Sequence, residues 1–329
     1  MTAAAAQSRT AARPVALFVL GLGRSGTSAL TRVLSLCGGR LPAGLLGATA
    51  SNPRGCWEPR TAVHLNQAIL HRHGSSAYDL TPGLHDNGAL DAQAKATCLA
   101  KIRTFLTTLP AAPVVVIKEP KITAVSGLWF EAARAAGFDV AAVVVVRHPQ
   151  EVIASFAQRT SRQHYVHVSA ELASAWWLKY TLLAERGTRG VPRVFVAYAN
   201  LLEDWRREIK RISAALAIDL EARDESAIEE FLSSSLRHHR YRGPVAEPFG
   251  TDWVSVVYHA VSAAARDEPW EQSALDRVFE AYRASEHGFR AAFEDARRYR
   301  MLDRFLRPSI VKLALEALAL ARRRRGTWA

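Results

Sequence analysis

A chain of 329 residues with 49% apolar content is long enough for one large α/β domain or two small ones, and its composition is that of a globular protein. The formal net charge of +12 points to anionic ligands, but seven basic residues against one acid (Glu316) fall from Arg304 onward, so half the excess sits in the last 26 residues. The body is therefore too mildly basic for a general nucleic-acid binder.

Three scattered cysteines, Cys37, Cys56 and Cys98, give neither a disulfide framework nor a zinc-ligand spacing. No apolar run reaches the ~18 residues of a transmembrane helix. Arg9 and Arg13 ahead of a short apolar run imitate a secretory signal, but cleavage after that run would destroy the glycine loop that follows it, and no small-x-small site comes after Leu20. The expectation is a disordered tail over residues 1–13, one domain over 14–303, a basic segment over 304–329, and a cytoplasmic protein.

In chain order, Val15 to Leu20 is an apolar run closed by glycine, the pattern of a buried parallel strand. A helix from Thr27 follows, with Leu30, Val33, Leu34 and Cys37 on one face, ending at Gly38-Gly39. Gly39 to Pro59 is rich in Gly, Pro, Ser and Asn and has the length of a functional loop. Helices are expected over Thr61–Arg72 and Asp91–Leu109, separated by a loop over His73–Gly88. Pro113–Ile117 is a second strand, leading into Lys118-Glu119-Pro120-Lys121 and a helix over Ile122–Ala136. Val140–Val146 is a third strand, ending at Arg147-His148-Pro149, where proline suits a helix's first turn. Ser169 is placed to cap a helix over Ala170–Arg186. Val191–Tyr198 is a fourth strand, and Leu201–Leu216 a further helix. Beyond it the pattern is helical over Glu225–Leu236, Val254–Ala265, Glu271–Ala296 and Pro308–Arg322.

Strands alternating with helices imply a three-layer α/β fold, a central parallel sheet with helices on both faces and a largely helical C-terminal portion. Ligands bind such sheets at the strands' C-terminal ends, where the loop at Gly21–Ser28, Lys118 and Arg147 all fall.

Strand, glycine loop and helix N-terminus make an anion cradle, with free N–H groups and the positive end of the helix dipole converging. Gly21-Leu22-Gly23-Arg24-Ser25-Gly26-Thr27-Ser28 has the Gly-x4-Gly spacing of a nucleoside triphosphatase loop, but Thr27 stands at the lysine position. No strand ends in Asp to help hold magnesium, and the nearest acid, Glu119, is flanked by two lysines. The pattern suits an anionic nucleotide bound without a metal, with a cation, Arg24, inside the loop.

The segment GxxRSGTS resembles the 5'-phosphosulfate-binding loop of sulfotransferases that use 3'-phosphoadenosine 5'-phosphosulfate. Arg147 and Ser155, eight apart across a strand-to-helix turn, resemble that family's 3'-phosphate-binding pair. KEPK at Lys118–Lys121 is similar to the Lys-Asp-Pro-Arg segment of bacterial members. Tyr198 with Leu201-Leu202 is similar to their Tyr-Glu-Asp-Leu segment, although Ala199-Asn200 replaces the acidic pair. The resemblance covers Val15 to Trp205 and implies a P-loop-like fold and sulfuryl transfer to a hydroxyl.

It implies donor contacts from Gly23, Arg24, Ser25, Gly26, Thr27, Ser28, Arg147 and Ser155, and catalytic roles for Arg24, Glu58 and Lys118. Glu58 is assigned by region, since a Glu or His from this part of the fold commonly serves as general base. His64 and His148 are its alternatives. The chemistry suits these residue types: charge builds on the bridging oxygen of the leaving phosphate, where a fixed cation and N–H donors stabilise it, and the acceptor hydroxyl needs a base.

The expected partner is a hydroxyl-bearing acceptor, a glycan, glycolipid or small metabolite, and not nucleic acid. Trp176 and Trp177 read as core rather than as an acceptor platform. Arg237-His238-His239-Arg240 is either a loop closing over the nucleotide or a solvated charge run. The basic final helix either packs its leucines on the domain or lies on an anionic membrane. A small-molecule kinase and a non-catalytic membrane- or glycan-associated protein are the alternative readings.

Overall fold

The computed structural model describes residues 13–49, 52–80, 90–161, 168–232, 241, 243–285, 295–296, 299 and 307–323. Strands β1 (Val15–Leu20), β2 (Val114–Lys118), β3 (Asp139–Val146) and β4 (Arg193–Ala197) form a parallel sheet in the order β2-β1-β3-β4. Leu17 of β1 lies opposite Val116 on one side and Ala141 on the other. The outer edge of β2 is covered by Arg40, whose N–H donates to Val114 O (2.9 Å) and whose carbonyl accepts from Val116 N–H (2.8 Å). The chain runs from β1 outward to β2 and returns across it to β3, so the order reverses beside β1. That reversal opens the crevice in which open α/β sheets bind ligands.

Alternate residues of each strand feed two separate cores, which is why the strands are apolar throughout rather than alternating. Leu17, Val19, Val116, Val143, Val145 and Val196 pack against α1 (Thr27–Leu36), α8 (Trp205–Leu216) and α9 (Glu225–Phe231). Phe18, Leu20, Val115, Ile117, Ala142 and Val144 face the larger core. It is built by α2 (Arg60–Arg72), α3 (Ala92–Leu106), α4 (Ser126–Ala135), α5 (Pro149–Ser161), α6 (Ala170–Gly187), α10 (Trp253–Ala264) and α11 (Gln272–Ala284). The three-layer α/β arrangement is the one expected. Ser169 caps α6, its hydroxyl accepting from Leu172 N–H at 3.1 Å, a contact worth about 1 kcal/mol.

Four boundaries differ most from expectation, the first being the helix expected over Glu271–Ala296, which stops at Ala284 because Ser285 turns to extended backbone (φ −104°, ψ 106°). The helix expected over Ile122–Ala136 begins as a 3-10 turn, Pro120–Val125, before α4, because Pro120 opens it and Ile122 N–H closes on Glu119 O three residues back (2.9 Å). The fourth strand stops at Ala197, and Tyr198 opens the short helix α7 (Tyr198–Glu203). The helix expected over Leu201–Leu216 is two, because Asp204 leaves helical geometry to cap α8, accepting from Arg207 N–H at 3.0 Å. A final helix, α12 (Pro308–Arg323), lies against α2. The Arg237–Arg240 cluster lies outside the described residues.

Beside the larger core, Ala77 to Leu80 carries no regular structure, so its carbonyls need donors from elsewhere. They receive them from two helices. Tyr180 OH donates to Ala77 O (3.3 Å), Trp176 Nε1 to Tyr78 O (3.2 Å), Lys179 Nζ to Asp79 O (2.5 Å), and Tyr282 OH to Leu80 O. Trp176 and Trp177 are core residues, both nearly inaccessible. Burial holds the Lys179 ammonium down at about 8, with Asp79 opposing. A lysine depressed in the folded state and ordinary in the unfolded state makes the unfolded chain bind more protons between those two values, so stability rises with pH there. Above pH 10 the buried phenols of Tyr180 and Tyr282, pushed up by burial, reverse the trend. Unfolding free energy should therefore increase by on the order of 2 kcal/mol from pH 8 to pH 10. Lys179→Met should flatten that slope in denaturant titrations; an unchanged slope would show that Lys179 is not its source.

Candidate active site

The glycine loop leaves β1 at the reversal point. Gly21, at φ 133°, donates its N–H to Thr123 Oγ1 (3.0 Å), tying the loop to the 3-10 turn after β2. Ser25 N–H closes a turn on Leu22 O (3.2 Å), and Arg24 takes a left-handed conformation at φ 76°. Helix α1 then starts without a side-chain cap. Its first N–H groups have no partners within the helix, and they face the loop. This is the anion cradle expected from the spacing. Gly26 sits at φ 98° directly under the Tyr198 ring, where an added Cβ would come within 2.2 Å of Tyr198 Cδ2. That contact explains why Tyr198 leaves the sheet.

At one end of the cradle stands Lys118, on the last residue of β2. Its ammonium is almost wholly buried and donates to Glu58 Oε1 (2.5 Å), Cys56 O (3.0 Å) and Ser28 Oγ (3.1 Å). Ser28 Oγ donates in turn to Cys56 O (3.2 Å) and accepts from Asn52 Nδ2 (3.2 Å). The long loop after α1 is thus fastened to the helix start and the strand end by one lysine. Glu58 stays 17% exposed with one oxygen on Lys118. Beneath it, Glu119 accepts from Asn66 Nδ2 (2.5 Å) and pairs with Lys121 Nζ (2.8 Å), while Trp129 Nε1 holds Asn66 Oδ1 (2.8 Å). Burial raises the Glu119 carboxyl, and Lys121 opposes that rise.

At the other end the Arg147 guanidinium lies over the Tyr198 ring, 4.7 Å from its centroid. Its Nη1 donates to Arg24 O (2.9 Å), and its Nε to Glu151 Oε2 (2.8 Å). Trp177 Nε1 fixes the Arg147 carbonyl (3.0 Å). Arg24 reaches across to donate from Nε to Ser155 Oγ at 2.9 Å. Burial, then Arg159, then Arg147 lower the Arg24 guanidinium below its ordinary value. Arg24 thus meets the charges of two further arginines, Arg147 ahead of α5 and Arg159 in its last turn, an arrangement that an anion relieves.

The structure brings Gly23–Ser28, Glu58, Lys118, Arg147 and Ser155 to one crevice. It does not bring the two histidines into that set of contacts. His148 packs between Tyr241 and Tyr258, with ring centroids 4.9 and 4.6 Å away, and burial lowers its imidazole. His64 lies on α2, lowered by burial and facing Glu316 and Lys312. Arg159 went unnoticed in the sequence, and Tyr198 was noted there only as part of a motif. Arg159 is four residues beyond Ser155, hence on the same helix face, which is the signal that finds it. Tyr198 is a platform for both Gly26 and Arg147, a role no spacing announces.

The sequence profile of the Sulfotransferase family matches residues 14–222, well over half the chain. The chain belongs to the sulfotransferase family. Solved structures it resembles include the sulfotransferase domain from the curacin biosynthetic pathway (14% identity, TM-score 0.41, covering 79% of this chain and 100% of that one). Another is the sulfotransferase domain from the Synechococcus PCC 7002 olefin synthase (17%, 0.38, 85% and 98%). A third is sulfotransferase STF9 from Mycobacterium avium (15%, 0.42, 83% and 76%). No curated protein matches the sequence.

In this sulfotransferase, Gly26→Ala should destabilise the fold by about 2–4 kcal/mol, since it combines a left-handed φ with overpacking against Tyr198. Denaturant unfolding measures this. A wild-type midpoint would mean that Tyr198 does not hold the loop down.

Proposed function

We propose that this sulfotransferase moves the sulfuryl group of 3'-phosphoadenosine 5'-phosphosulfate to a hydroxyl on a carbohydrate, glycolipid or small metabolite. The observation that carries this reading is the pairing of a cradle of backbone N–H groups at one end with an arginine cluster at the other, joined by Arg24. Its backbone belongs to the cradle, and its side chain touches Ser155 beside Arg147. A nucleotide phosphorylated at both 5' and 3' positions matches that layout. The loop N–H groups, Thr27 and Ser28 would hold the 5'-phosphate, and Arg147 with Ser155 the 3'-phosphate.

In the transfer the bond from sulfur to the 5'-phosphate oxygen breaks as a bond from sulfur to the acceptor oxygen forms. Arg24 would take the charge growing on the bridging oxygen from the loop, while Lys118, its three N–H bonds given to Glu58, Cys56 O and Ser28, would act as a nearby positive charge and orient Ser28. Glu58 would receive the acceptor's proton. Its contact with Lys118 fits this role, because the ammonium 2.5 Å away holds one carboxylate oxygen in place and leaves the other open. The same contact makes removal of either partner costly, since it leaves a buried charge alone.

Calorimetry should show micromolar binding of adenosine 3',5'-bisphosphate without magnesium; no binding, or binding only with magnesium, would overturn the reading. Arg147→Ala should weaken that nucleotide by about 10–100-fold, the loss of one charge-assisted phosphate contact, and adenosine 5'-monophosphate far less. Equal losses would remove Arg147 from the 3'-phosphate. Glu58→Gln, which keeps an oxygen for Lys118, should lower turnover of labelled donor on a responsive acceptor by about 10²–10⁴-fold with nucleotide affinity nearly unchanged. Retained turnover would exclude Glu58 as the base.

A further inference from the structure

Helix α12 is apolar on two opposite sides. Val311, Leu315 and the buried Ala319, spaced four apart, form the stripe turned toward α2, and Arg60 Nε pairs with Glu316 Oε1 at 3.5 Å. On the side turned away, Leu313 is 73% exposed, Leu320 63% and Ile310 49%. Helical spacing adds Ala314, Ala317 and Ala321 to that side, which carries no charged residue. An apolar face this continuous has no reason to stay in water.

The charges around the face say what covers it. Arg307 stands beside it at the start of the helix, Lys312 and Glu316 lie toward its α2 side, and Arg322 to Arg325 follow in the sequence at its end. Apolar side chains bounded by long basic ones suit the boundary of an anionic bilayer: leucines enter the acyl region while the ammonium and guanidinium groups extend to lipid phosphates. A second copy of the chain would present the same positive charges and be repelled. Among the described residues no helix is long and apolar enough to cross a membrane, so the contact is a surface one.

We propose that α12 docks this sulfotransferase on anionic lipid. Through the Arg60–Glu316 pair the helix is tied to the residue two positions beyond Glu58. Docking therefore brings the start of α2, two residues beyond Glu58, to within one helix of the bilayer; that an acceptor is received near Glu58 rests on the reading above.

Flotation of the full chain with phosphatidylcholine vesicles, with and without phosphatidylglycerol, tests this alongside sedimentation and nucleotide calorimetry. Wild type should float with the anionic vesicles alone, less at high salt. The double variant Leu313→Glu/Leu320→Glu should lose about tenfold in partition while binding adenosine 3',5'-bisphosphate as wild type does. No flotation, equal flotation with neutral vesicles, or a variant that floats unchanged would overturn the proposal. So would a wild-type dimer that the two glutamates dissociate, which would assign the face to a second copy. A chain that floats but binds no nucleotide would uphold the docking and refute only the donor assignment.

Discussion

The Lys118 ammonium is the point on which the site's geometry rests. A buried cation is tolerated only where charge and hydrogen bonds replace its water. Lys118 finds those replacements on three pieces of chain: Glu58 and the Cys56 carbonyl from the long loop, and Ser28 from the start of α1. Because it ends β2, whose partner strand β1 feeds the cradle, the lysine sets the loop against the sheet. A loop of that length would otherwise be free to sample many positions at little entropic cost. Here the desolvation of one charge makes most of those positions unfavourable. Glu119 and Lys121 repeat the logic one layer deeper, so acid and base alternate from the crevice into the core.

The opposite end of the crevice is organised by excess rather than by balance. Arg24, Arg147 and Arg159 meet with Glu151 as the acid bonded to Arg147. Like charges at short range cost energy that the fold offsets through rigid supports. Tyr198 carries Arg147 on its face, Trp177 holds its carbonyl, and Arg24 is committed by its left-handed backbone. An anion placed there would offset the repulsion among the three guanidinium groups. The two ends thus differ in kind: at one a buried ammonium is paired with a carboxylate, while at the other three arginines meet a single bonded acid.

Much of this was legible in the sequence. Strands buried on both faces need uninterrupted apolar runs, so Val15–Leu20 and Val140–Val146 announced themselves, as did Ser169 as a cap. The cradle was legible because glycine spacing before a helix has few other physical uses. What could not be read were contacts between segments far apart. Lys118 meets Glu58 across 60 residues, and no local pattern encodes that meeting. Tyr198 continued an apolar run and so looked like strand, but it opens α7 with its ring packed over Gly26. Local propensity yielded there to a contact between distant segments.

The division between legible and hidden parts follows how the two ends of the crevice are built. The cradle is assembled from a strand exit and a helix start, whose backbone geometry is the same wherever a parallel sheet turns, so short spacings suffice to specify it. The Glu58 end is assembled from an irregular loop fastened by Lys118, above a layer in which Asn66 of α2 holds Glu119. Irregular backbone has no period to detect, and its shape is set by what it is fastened to. The loop between α1 and α2 keeps its place against the cradle only while Lys118 finds a carboxylate and a carbonyl to hold. That single requirement couples the irregular half of the crevice to the half built on the sheet.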